Sequence, residues 1–143
     1  MSDITALVFT LGEETTQRAI ESIKKQSLKP KEIIIMNESV RPFYQAINLG
    51  ASKVRTEFFV QVDSDMILDE DCFEKLRGCM RHNLGIVAGH LRDPLTGRAC
   101  CIKMYRKDCI EKVKFKDSIS PDVDFREDIL KYGWCGICFK IRW

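Results

Sequence analysis

Short apolar runs alternate with amphipathic stretches along this chain. Ile4–Thr10, Glu32–Met36, Glu57–Val62 and Ile86–Leu91 are brief and rich in Val, Ile and Phe, which predicts strands. Glu32–Met36 is apolar on both faces, as a buried parallel strand is. Helical spacing marks the segments between them. In Thr15–Gln26, residues Ala19, Ile20 and Ile23 share one side. In Pro42–Lys53 the stripe is Phe43, Ala46 and Ile47, with Pro42 in the first turn. In Asp69–His82 it is Phe73, Leu76 and Met80. Turn residues at 93–97 precede Ala99–Tyr105, expected as a strand antiparallel to the one before. A last helix is expected over Asp124–Tyr132, with Gly133 at its C-cap, and a closing strand over Trp134–Ile141. The order β-α-β-α-β-α-β-β-α-β predicts an α/β fold, a mainly parallel sheet flanked by helices. Ligands of such sheets bind at the carboxyl ends of the strands. Three polar clusters fall there: Thr10–Glu14, Asn37–Ser39 and Asp63–Asp65.

At 143 residues the chain is expected to form one domain, 1–143. Its formal charge of +2 gives no electrostatic case for binding nucleic acid. No apolar run approaches the roughly 18–20 residues of a membrane span. Met1-Ser2-Asp3-Ile4 lacks the basic start of a secretory leader, and the 7 cysteines are an odd number. Those features lead to the expectation of a cytoplasmic protein with reduced thiols.

Asp63-Ser64-Asp65 is the sharpest feature. Residues i and i+2 of an extended segment point the same way, so these two carboxylates could share a hard divalent cation whose other ligands are waters and a diphosphate. The spacing alone says little, since 69/71 and 122/124 repeat it. Asp69 and Asp71 read as helix-start charge, and Asp122 and Asp124, expected just before the last helix, can do the same. Only Asp63 and Asp65 end a strongly apolar central strand, where metal site and strand-end turn stand as equal readings. Glu127-Asp128 has two readings as well, helix-dipole partners or catalytic carboxylates.

Five pieces in order resemble a family 2-type glycosyltransferase of GT-A fold, and the likeness runs from Ile4 to Tyr132. They are the first strand Ile4–Thr10; the helix through Gln26 and Pro30 into the second strand; Ala46-Ile47-Asn48-Leu49-Gly50; Glu57–Asp65, similar to the metal-binding strand; and Phe125–Gly133, similar to the acceptor-side Glu-Asp helix. The resemblance implies a nucleotide-diphosphate sugar lying across the strand ends as donor. It implies Mn²⁺ or Mg²⁺ on the diphosphate, held by Asp65 and Asp63, with Asp63 also reaching the ribose. Thr10, Asn37, Glu38 and Asn48 are expected to line the donor site. Asp128, or its neighbour Glu127, is expected to take the proton from an acceptor hydroxyl in an inverting transfer. The segment Met36-Asn37-Glu38-Ser39 stands where the family usually carries an Asp pair for the base, and Ile47 where Arg is common. A non-catalytic sugar-nucleotide-binding or interaction module on the same fold is the alternative. Nucleotidyl transfer calls for a Gly-rich, basic loop after the first strand, whereas Leu11-Gly12-Glu13-Glu14 is acidic.

Other residues carry two readings each. Cys135-Gly136-Ile137-Cys138 lies in strand-like sequence after a helix, unlike a redox motif, and reads as buried thiols. His90 is either a third metal ligand or a surface residue beside the Asp93-Pro94 turn. Arg92 and Arg98 could meet a phosphate or be solvated turn charges. Trp134 and Trp143 could stack on a sugar or pack.

Overall fold

The computed structural model describes residues 2–37, 42–92, 95, 97 and 99–139. Eleven elements follow one another: β1 (Ile4–Phe9), α1 (Thr16–Lys24), β2 (Glu32–Met36), α2 (Phe43–Lys53), β3 (Phe58–Asp63), α3 (Cys72–Cys79), β4 (Leu84–Arg92), β5 (Ala99–Arg106), α4 (Lys107–Lys112), α5 (Pro121–Leu130) and β6 (Cys135–Phe139). The six strands form one sheet in the order β2-β1-β3-β5-β4-β6. Among the described residues, the pairings made by β5, with β3 and with β4, are antiparallel and the other three are parallel. This is the mainly parallel α/β sheet that the alternation of patterns predicts.

Strand alternation divides the core in two. Ile4, Ala6, Val8, Val60 and Val62 pack against Ile23 of α1 and Phe73 and Leu76 of α3. Leu7, Phe59 and Tyr105 face the other way, with Ile47 of α2, Cys109 and Ile110 of α4, and Phe125 and Ile129 of α5. Gly50 lets α2 sit close on β1, because a Cβ there would come within 2.7 Å of Leu7 Cδ2.

Several boundaries differ from the sequence expectation. Helix α5 starts at Pro121, not Asp124, so Asp122 and Asp124 occupy its first turn. Proline at the first helical position has no N–H to leave unpaired. Helix α3 starts at Cys72, not Asp69; Asp69–Asp71 is a turn that leads into it, and the Asp71 side chain makes no capping hydrogen bond. Helix α4 was not predicted. Its six residues are too few to display helical periodicity, and burial of Cys109 and Ile110 against the sheet stabilises it.

Gln26 ties the two helices of one face together. Fully buried, its amide donates to the Ser22 and Asp69 carbonyls at 3.2 and 2.7 Å, and its oxygen accepts the Phe73 N–H at 2.9 Å. The chain following β3 is thereby fastened to the end of α1.

Candidate active site

The carboxyl ends of β1, β2 and β3 lie side by side, and Phe9 is in register with both Met36 and Asp63. Asp63 is the last residue of β3. Alternation places it on the same face as Phe59 and Gln61, the face covered by α5. The strand then turns, with the Met66 N–H bonded to the Asp63 carbonyl at 3.1 Å. Asp65 therefore sits in that turn, exposed, while Asp63 is half-buried and Ser64 buried. The turn, not strand alternation, sets the relation of the two carboxylates.

Burial pushes the Asp63 carboxyl above its ordinary range, and Asp65 and Asp122 push it further; the Gln61 amide and Lys103 oppose them. Gln61 donates to Asp63 Oδ1 at 3.4 Å and accepts the Tyr105 hydroxyl at 3.2 Å. Tyr105 is itself buried and stacked on Phe59, with ring centroids 5.1 Å apart. Lys103 stands opposite Gln61 on β5 and forms an ion pair with Asp122 of α5. The structure thus gathers Asp63, Lys103 and Asp122 on one face. Sequence reasoning missed Lys103 and gave Asp122 a helix-start role. A signal was present in Lys103, a charged residue alternating with Ile102 and Met104 in an apolar strand.

The loop after β1 closes on itself. The Thr10 hydroxyl donates to Glu13 Oε2 at 2.8 Å, which leaves the Thr16 hydroxyl to donate to Thr10 Oγ1 at 2.7 Å. The Gly12 N–H also bonds to Thr10 Oγ1, and the Leu11 N–H to Glu13 Oε2. Glu13's own N–H, the Leu11 N–H and the Thr10 hydroxyl hold its carboxyl down to about 2, and Ser64 adds to this. Gly12 adopts φ +95, which favours glycine.

The remaining expected site residues lie as follows. Asn37 is exposed at the end of β2. Glu38 lies outside the described residues. Asn48 clamps α2 to the segment after α4: its amide donates to the Phe115 carbonyl at 2.9 Å and its oxygen accepts the Phe115 N–H at 3.0 Å. Asp128 is bound by Lys116 and Lys131, whose hydrogen bonds hold its carboxyl below the usual range. Glu127 is exposed and lines a shallow groove with Val123, Arg126 and Leu130. Among the described residues no group of three or more His, Cys, Asp or Glu side chains converges as a metal cluster. Asp63 and Asp65 offer two carboxylates, a partial ligand set of the kind a hard cation completes with diphosphate and water.

The C-x-x-C segment lies within β6, and Cys135 is exposed rather than buried. The burial of Cys138 lies outside what is described; among the described residues the buried thiols are Cys72 and Cys109, each pushed up to about 12 chiefly by burial. Trp134 packs against the core beside α5 and lies under the Lys112 ammonium. His90 is half-buried near the end of β4, whereas Arg98, Trp143 and the Asp93-Pro94 pair lie outside the described residues. No helix among the described residues is long and apolar enough to cross a membrane.

No protein-family model and no curated protein matches the chain. Solved structures do match. The mannosyltransferase PcManGT from Pyrobaculum calidifontis, in complex with GDP-Man and Mn²⁺, superimposes with a TM-score of 0.78 at 13% identity, over 97% of this chain and 55% of that one. S. aureus TarS 1-349 gives 0.73 at 11% identity, over 97% and 58%. A CMP:2-keto-3-deoxy-manno-octonic acid synthetase complexed with CTP gives 0.60 at 10% identity, over 98% and 90%. The chain therefore spans little more than half the length of PcManGT and of TarS 1-349. Its fold is the GT-A-like fold shared by nucleotide-sugar transferases, and its structural neighbours include glycosyltransferases, one of them solved with nucleotide-sugar and Mn²⁺.

Proposed function

We propose that this chain is the catalytic fold of a glycosyltransferase that moves a sugar from a nucleotide-diphosphate sugar to an acceptor hydroxyl with inversion. The observation that carries the reading is Asp63, half-buried where the central parallel strand ends and with its carboxyl pushed up by burial. A carboxylate so desolvated is relieved by a cation. Asp65 and Asp63 would hold Mn²⁺ or Mg²⁺; when bound, the ion supplies positive charge to the departing nucleoside diphosphate. Gln61, backed by Tyr105, orients Asp63. The exposed Asn37 at the end of β2 lies at the edge where a base would sit. Thr10 contributes by shaping its loop, since its hydroxyl is engaged there. A carboxylate on α5 takes the acceptor proton.

Nucleotidyl transfer is disfavoured by Glu13, whose carboxylate stands in the loop after β1, a negative charge where a triphosphate needs a positive one. A binding module without turnover is the second reading, and it draws on Asp128 being occupied by two lysines. The test is release of nucleoside diphosphate from UDP-glucose and GDP-mannose with Mn²⁺, beside nucleotide binding. Release that disappears in Asp65→Ala supports transfer. Binding without release supports the second reading.

A further inference from the structure

Between the sheet and α5 lies a cavity of about 250 Å³. Ile86, Tyr105, Phe115, Phe125 and Ile137 supply apolar wall. The Phe115 and Phe125 rings stack at 4.3 Å and Tyr105 meets each edge-on at 6.1 Å, which makes the aromatic wall continuous. Lys103 and Asp122 also line the cavity and are paired with each other. Lys103 is on β5 opposite Gln61, two residues before Asp63, so the charged part of the lining lies toward the end of β3.

We propose that this cavity is the acceptor site, that it takes an alcohol or phenol carried on an apolar body, and that Asp122 faces the reacting hydroxyl. The proposal rests on the sugar-transfer reading above and names the acceptor class for that same site. A dry cavity of roughly 150 Å³ holds a benzene ring, so this one has room for a substituted ring or a short alkyl chain. Its walls offer a polyol few partners: apart from Lys103, Asp122 and Arg126, the lining is largely apolar. Specificity follows from leaving a sugar's hydroxyls unpaired there.

In the transfer, an Asp122 carboxylate oxygen accepts the hydroxyl proton as the acceptor oxygen forms its bond to the anomeric carbon. The bond from that carbon to the diphosphate oxygen breaks, and its electron pair leaves with the nucleoside diphosphate. Asp122 later gives the proton to water. Lys103 is a positioning residue: it holds Asp122 against the sheet. Asp128, between Lys116 and Lys131, is turned to a different set of partners.

The experiment uses 2-naphthol, n-hexanol and glycerol as probe acceptors, with UDP-glucose or GDP-mannose and Mn²⁺. Binding of 2-naphthol to the protein alone is read first by its fluorescence, in wild type and in Val123→Trp, which places an indole at an exposed position on the cavity lining. The expected result is saturable binding of 2-naphthol, weakened at least tenfold by Val123→Trp, and transfer to 2-naphthol or hexanol but not glycerol. Asp122→Asn should lower kcat at least 100-fold while changing nucleoside diphosphate affinity less than about threefold. Asp122→Glu should recover part of the rate, which loss of a merely structural ion pair does not predict. Absence of 2-naphthol binding overturns the proposal, as does preferred transfer to glycerol. An Asp122→Asn enzyme within threefold of wild type, with the loss found in Asp128→Asn instead, also overturns it. If 2-naphthol binds but no nucleotide binds and none is turned over, the sugar-transfer reading fails, and the proposed acceptor role falls with it. If nucleotides bind and turn over but 2-naphthol does not bind, only the acceptor proposal fails.

Discussion

Replacing Gln26 with alanine tests whether the loop behind the Asp63–Asp65 turn is held from α1. The wild-type side chain makes three hydrogen bonds, to Ser22, Asp69 and Phe73, and is fully buried. Truncation leaves the Phe73 N–H and the Asp69 carbonyl without these partners. One buried unsatisfied group costs about 1–3 kcal/mol, and the vacated volume adds to it, so a loss of about 2–4 kcal/mol is expected. At about 2–4 °C per kcal/mol for a chain of this size, Tm should fall by about 5–15 °C. Urea unfolding should show a lower midpoint with an unchanged slope. Gln26→Glu separates the two halves of the interaction. It keeps an acceptor for Phe73 but sets a carboxylate against the Ser22 and Asp69 carbonyls. Its folded pKa is therefore raised, the ionised form is destabilising above that value, and stability returns as pH falls through it. A Tm within about 2 °C of wild type for Gln26→Ala would refute the reasoning.

Other perturbations reach different parts of the fold and site. Gly85→Ala should cost about 1–3 kcal/mol, because its Cβ would lie 2.6 Å from Cys109 Sγ and 3.2 Å from Ile129 Cδ1. Adding Cys109→Ala should restore part of the loss, and no restoration in thermal melts would contradict this packing. Glu13→Gln should lower Tm at pH 7. The folded Glu13 carboxyl lies at about 2 against an ordinary 4.5, so its contribution is complete above pH 4.5 and fades as pH falls toward 2. A Tm difference from wild type that persists undiminished at pH 3 would count against it. Asn48→Ala should cost about 1–3 kcal/mol by freeing the Phe115 backbone, and chemical denaturation showing no loss would contradict that clamp.

The sheet was legible because strand signals are local. Val60 and Val62 alternate with Phe59 and Gln61, and both faces of β1 are apolar, so the buried strands announce themselves. The antiparallel return of β5 followed from the turn residues before it. The ends of helices were less legible. Nothing in Asp122-Val123-Asp124 distinguishes a residue before a helix from one in its first turn, and Pro121 was the overlooked cue. The candidate site divides in the same way. Asp63 at the end of β3 was readable from its strand. That Asp65 falls in a turn depends on a backbone hydrogen bond, and that Lys103 and Asp122 meet near Asp63 depends on β5 lying beside β3, a non-local fact. The bonds of Thr10 within the Glu13 loop and of Asn48 to the Phe115 backbone become visible only in the fold.

The most direct measurement is thermal unfolding with a panel of nucleoside diphosphates, each with and without Mn²⁺, on wild type and Asp65→Ala. A nucleotide at ~100 times its dissociation constant adds about 2.7 kcal/mol, which corresponds to about 5–10 °C in Tm. A shift of that size that needs both metal and nucleotide, and that Asp65→Ala abolishes, is the predicted result. Nucleotide shifts that ignore Mn²⁺ and survive Asp65→Ala would contradict the donor site placed at the end of β3.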